Sequence, residues 1–182
     1  MSIELESSNL ARRGQEISKL LRLLSRVPSG PAFTRLATAT TVIFGTYDGA
    51  RVTSPYGQWR FATYRPRYRA GYYEIWNSLV SSGGKVCCLN KAYLHIYQVN
   101  PADRSETEIL ALHCDPEENG QAGAKYKRGP HLHISAAPDP FSKAHIALAV
   151  GYLSVVLKSA SNLTEALGWS IQMIKDEILD RL

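Results

Sequence analysis

Eight short runs rich in β-branched and aromatic residues, at 38–46, 51–54, 59–64, 72–79, 86–89, 92–99, 106–113 and 131–136, are separated by turn formers, and that cadence most constrains the fold. It predicts an antiparallel, meandering sheet. Tyr47-Asp48-Gly49-Ala50 is the clearest hairpin signal, because Asp-Gly readily takes the positive φ angles of a tight turn. Pro66 confines its own segment to a loop or an edge, since proline cannot donate to a ladder.

Helical patterns flank the sheet. Leu10, Ile17, Leu20, Leu21, Leu24 and Val27 keep near-helical spacing over 8–27, with Ser7, Ser8 or Asn9 as cap and Pro28-Ser29-Gly30-Pro31 as the stop. Arg12, Arg13, Lys19 and Arg22 fall on the other face, which reads first as solvated surface and second as a phosphate-facing one. After Pro138-Asp139-Pro140 two more helices are expected, one capped by Ser142 and running to about 159, the other opening at Asn162 or Thr164 and ending near Asp180. The fold class is therefore α+β: a curved antiparallel sheet of about six to eight strands with one N-terminal and two C-terminal helices packed on one face. At 182 residues and 45% hydrophobic the chain can bury one core, and a single domain over 1–182 is expected, with the sheet at 38–136 and the helix pair at 142–181.

The charge is uneven. Net charge is +5, and between Asp48 and Glu74 lie Arg51, Arg60, Arg65, Arg67 and Arg69 with no acid. Guanidinium groups suit bidentate contact with phosphate, and Tyr56, Trp59, Phe61, Tyr64, Tyr68, Tyr72 and Tyr73 interleave with them as stacking surfaces, so nucleic acid is the expected partner. A solvated hairpin is the plain alternative. Cys87, Cys88 and Cys114 fit neither a zinc knuckle nor a disulfide framework, so a reducing cytoplasm is expected. No signal-peptide pattern occurs, and no apolar run reaches the roughly 18 residues of a membrane span.

Histidine is concentrated where the function is placed. His95 precedes His113-Cys114-Asp115-Pro116 and Pro130-His131-Leu132-His133-Ile134, so four of the five histidines lie on three consecutive expected strands. Strand parity puts His131 and His133 on one face, and Tyr93, His95 and Tyr97 together on their own strand. If the turn at 100–105 pairs Tyr97 with Ile109, His95 faces Ala111 and His113 faces Tyr93, and all four imidazoles share one wall. A slip by one residue sends His113 to the other face. His145, alone on the expected helix after Ser142, reads as an ordinary hydrogen-bonded surface or core residue.

Four chemistries can use such a wall. His131, His133, His113 and Asp115 are candidate ligands for a divalent metal such as zinc or manganese. A metal-free nuclease needs one neutral imidazole and one imidazolium, with Lys125, Lys127 and Arg128 as candidate phosphate-holding cations. A two-histidine phosphoesterase is half matched by His133-Ile134-Ser135, whereas His95-Ile96-Tyr97 lacks the second hydroxyl residue. A Cys114 nucleophile activated by His113 or His131 ranks last.

Tyr93-Leu94-His95-Ile96-Tyr97, Leu110-Ala111-Leu112-His113-Cys114-Asp115-Pro116 and Gly129-Pro130-His131-Leu132-His133-Ile134 together resemble the small bacterial toxins of the TumE-like kind. The resemblance covers 93–134; the N-terminal helix and the arginine-rich hairpins have no counterpart in it. It implies a growth-inhibiting or defence protein acting on RNA or DNA, made beside a neutralising partner, and favours His131 and His133 first, then His113 and Asp115. The leading expectation is a nucleic-acid-directed phosphodiesterase with a catalytic set of His131, His133, His113, Asp115 and His95, bound to the polymer through the arginines. A non-catalytic binding subunit and a metal-dependent small-molecule enzyme are the alternatives.

Overall fold

The computed structural model describes residues 3–24, 34–45, 47–48, 51–52, 68–81, 84–114, 130–135, 144–148 and 153–181. In chain order these form β1 (Glu4–Glu6), a 3-10 turn (Ser7–Asn9), α1 (Leu10–Leu20) with a 3-10 extension (Leu21–Leu24), β2 (Thr34–Ala37), β3 (Thr41–Gly45), β4 (Tyr47–Asp48) and β5 (Arg51–Val52). There follow β6 (Tyr68–Ser81), β7 (Gly84–Val99), β8 (Glu106–Cys114), β9 (His131–Ile134), β10 (Ala144–Ala147), α2 (Leu153–Val156) and α3 (Ala160–Met173), the last prolonged by a π turn and a 3-10 turn to Arg181.

The sheet has eight strands in the order β10-β9-β8-β7-β6-β3-β2, with β1 added beside β7, and every pairing is antiparallel. β4 and β5 pair separately where the Asp-Gly signal predicts a hairpin, but Asp48 stands in the ladder opposite Arg51 and not in the turn. The 16 residues of β7 make it the spine: β6 runs along one edge, while β1 and β8 share the other. Two runs separated in the sequence reading, 86–89 and 92–99, are one strand. A bulge between them, where Ile75 pairs with Lys91 but Trp76 with Leu89, inserts Asn90 and shifts the alternation by one. Cys87 and Leu89 before it, and Ala92, Leu94 and Ile96 after it, all therefore reach the same buried core.

That core lies under the helices. Leu10, Ile17 and Leu21 from the first helix and Leu163, Leu167 and Ile171 from α3 meet Leu94, Leu110, Leu112 and Leu132 of the sheet. Ser159 caps α3, its Oγ accepting from the Asn162 amide at 3.1 Å. Gly45 has φ 120°, and a Cβ there would sit 2.1 Å from the Tyr72 carbonyl oxygen, so only glycine lets β3 close against β6 at this point.

Several expectations need correction. Residues 144–147 form β10, not the start of a helix capped by Ser142. Their pairing with β9 supplies main-chain partners to what would otherwise be an open sheet edge, and that gain overrides a weak helical pattern. Among the described residues, what remains helical there is the short α2. The sheet is wider than 38–136, since β1 and β2 lie before it and β10 after it. Asn9 stands at the cap position of α1, but its side chain makes no capping bond. Arg13 is not solvated: it is 1% exposed, its Nε and Nη2 donate to Glu74 at 3.1 and 2.7 Å, and its Nη1 donates to the Ala160 carbonyl and Thr164.

A candidate histidine-centred active site

Residues opposite one another in an antiparallel sheet form rows, and three adjacent rows build the site. The first runs Tyr73, Tyr93, His113, His131; the second Gly71, His95, Ala111, His133, His145; the third Arg69, Tyr97, Glu108. His95 opposite Ala111 and Tyr93 opposite His113 match the sequence reading. Leu94, Leu112 and Leu132 point from the same strands into the core under the helices, so the imidazoles occupy the other face.

The rings converge. His113 and His133 have centroids 3.9 Å apart, His131 and His133 5.0 Å, His95 and His113 5.4 Å, and His113 and His131 5.9 Å. Tyr93 stacks on His113 at 3.8 Å with an interplanar angle of 6°, fixing that ring. His131 is fully buried, and His113 and His133 are half-buried. The Nε2 atoms of His131 and His133 lie 3.1 Å apart. Two N–H groups cannot point at each other at that distance, so at least one of these rings presents a bare nitrogen.

A carboxylate that strand parity hides joins the wall. Between Ile96 and Tyr97 the β7–β8 ladder slips, so that Tyr97 pairs with Glu108, not with Ile109 as expected and as the register running on from His95–Ala111 would give. The extra residue turns Ile109 toward the core cluster and brings Glu108 to the histidine face. Glu108 receives His95 Nδ1 at 2.6 Å and Ser135 Oγ at 2.8 Å. The bond from His95, opposed by partial burial and aided by the charge of His95, the Ser135 hydroxyl and His133, holds its carboxyl below the ordinary glutamate range. With Nδ1 engaged, the His95 tautomer is set with the proton facing Glu108.

His95, His113, His131 and His133 are thus together. Asp115, Lys125, Lys127, Arg128, Arg60, Arg65 and Arg67 lie outside the described residues. Arg69 stands opposite Tyr97 in β6, on the row that ends at Glu108, and Arg51 stands opposite Asp48, in the separate β4–β5 pair. Cys114 is fully buried in the helix-side core, away from the imidazoles, which removes it as their nucleophile. The sequence reading passed over Glu108 and took His145 for an ordinary residue on a helix. A charged residue in an otherwise alternating strand was the available sign for Glu108; His145 sits opposite His133 only because 144–147 is a strand.

Comparison with protein-family models, curated proteins and solved structures returns no match. Among the described residues no helix is long and apolar enough to cross a membrane.

Proposed function

We propose that the protein is a nucleic-acid-directed phosphodiesterase of the toxin or defence type, acting in the cytoplasm beside a neutralising partner protein. The observation that carries this reading is the convergence of four imidazoles and one carboxylate on a single sheet face. Hydrolysis joins a water oxygen to phosphorus and breaks one P–O ester bond. The water's proton passes to a neutral base, and the leaving oxygen takes a proton or is stabilised by a cation. His131 and His133, nitrogen to nitrogen, serve either as a proton-sharing pair or as metal ligands. His113 and Asp115 complete the set, and Lys125, Lys127 and Arg128 hold phosphate. The basic balance of the chain and its motif resemblance to TumE-like toxins point to the same substrate class.

The test is cleavage of RNA and of DNA by purified protein, with and without chelator, beside the His131→Ala/His133→Ala double variant. Wild-type cleavage and a loss of at least about 100-fold in the variant are expected, the scale of positioned proton transfer. Equal rates in both, with circular dichroism showing both folded, would remove the reading. A stable complex with nucleic acid and no cleavage by either protein favours the non-catalytic binding subunit.

A further inference from the structure

We propose that His113, His131 and His133 form a three-imidazole site for one divalent transition-metal ion of the zinc class. The proposal rests on the phosphodiesterase reading for the use of the ion but not for its binding.

The geometry starts with the sheet. A His-x-His pair on β9 presents two rings on one face, and His113 on β8 is the direct cross-strand partner of His131, so three ligands come from two adjoining strands with no loop involved. One ring nitrogen from each lies within 4.8 Å of the others. Zinc–nitrogen bonds of about 2.0–2.1 Å at tetrahedral angles separate two nitrogens by about 3.4 Å. The His131 and His133 Nε2 atoms, at 3.1 Å, already stand near that edge length. Each distance from His113 to the pair shortens by no more than about 1.4 Å to reach a tetrahedral edge from the outer limit of the cluster.

Chemistry selects the ion. An all-nitrogen set suits zinc, cobalt, nickel or copper and gives magnesium or calcium nothing they prefer. The ligand form of histidine is the bare nitrogen, and the facing pair already requires one. Tyr93 holds the His113 ring from behind. His95 stays outside the set, because its Nδ1 is committed to Glu108. Three protein ligands leave one position for water or a phosphate oxygen, the arrangement of catalytic rather than structural zinc sites.

The experiment is equilibrium dialysis of the full chain against zinc chloride and, separately, cobalt chloride, magnesium chloride and calcium chloride, with metal content read by mass spectrometry. About one zinc or cobalt per chain is expected, with no retained magnesium or calcium. His133→Gln and His113→Gln should each weaken zinc by at least about 100-fold, the upper end of what losing an outer-shell partner costs. His95→Gln should keep the ion. Substoichiometric zinc in wild type overturns the proposal without any variant having to fold; so does undiminished binding by folded His113→Gln and His133→Gln. Chelator-resistant cleavage without bound metal sinks the metal site and leaves the phosphodiesterase reading standing, whereas one bound zinc with no cleavage of RNA or DNA does the reverse.

Discussion

Two carboxylates show how differently a charge is used on the two faces of one sheet. Glu74 lies under the helices, 1% exposed, and accepts from Arg13, from the Tyr72 hydroxyl at 2.7 Å and from the Trp76 indole at 2.9 Å. Burial would lower the Arg13 pKa, but Glu74 outweighs it and raises the value, so the guanidinium stays charged; burial and the Glu74 charge together keep the Tyr72 phenol protonated as a donor. Arg13→Met strands the Glu74 charge and should cost about 3–5 kcal/mol of stability in urea unfolding. Arg13→Met/Glu74→Gln should cost less than the single change, since the amide still accepts from Tyr72 and Trp76; an equal or larger loss would show that the pair is not held as described. Glu108, on the histidine face, is instead half-buried and shares its two oxygens between His95 and the Ser135 hydroxyl. Its folded pKa lies below the ordinary value of 4.5, so its contribution is present above about pH 4.5 and fades as the pH falls through the lower folded value. Thermal midpoints of wild type and Glu108→Gln should differ at pH 7 and converge toward pH 3. A gap independent of pH would mean that the His95 contact contributes no charge-dependent stability.

At the level of strands, what could be read from the chain followed from the period of two, and what could not followed from its interruptions. His95, His113, His131 and His133 share a face because each lies an even number of residues from a partner whose register is fixed by buried leucines on the opposite side. The bulges at Asn90 and Ile109 depend on what the neighbouring strand offers, and no local propensity announces them. The second of them decides the site, because it exchanges an isoleucine for a glutamate beside His95. β10 escaped for a related reason: Ala144-His145-Ile146-Ala147 suits a helix or an edge strand equally, and the exposed margin of β9 settles the matter. Glu4–Glu6 is three residues long and is a strand only because the first half of β7 has a vacant edge beyond the end of β8. Arg13 was misplaced because helical spacing cannot tell a surface arginine from one with a buried carboxylate waiting across the interface.

Across the whole molecule the sheet divides labour between its faces. Helices and apolar side chains fill one, and a row of tyrosines and histidines lines the other, with Lys91 Nζ 5.6 Å over the Tyr93 ring. A polymer reaching the imidazoles would be drawn by the net +5 charge, and each arginine or lysine that neutralises a phosphate releases bound counterions. Affinity for single-stranded RNA or DNA is therefore expected to fall linearly in a plot of log affinity against log salt, by about 0.7 per contact. Arg60, Arg65 and Arg67, which lie outside the described residues, are three of the five arginines of the acid-free stretch. Replacing all three with alanine should flatten that plot by about 2 units while leaving the zinc stoichiometry of His113, His131 and His133 unchanged, because the groups proposed to bind the polymer are not those proposed to bind the ion. Fluorescence anisotropy at several salt concentrations reads the slope directly. An unchanged slope would take the arginines out of the interface, and a lost ion together with a flattened slope would mean that the two surfaces fold as one.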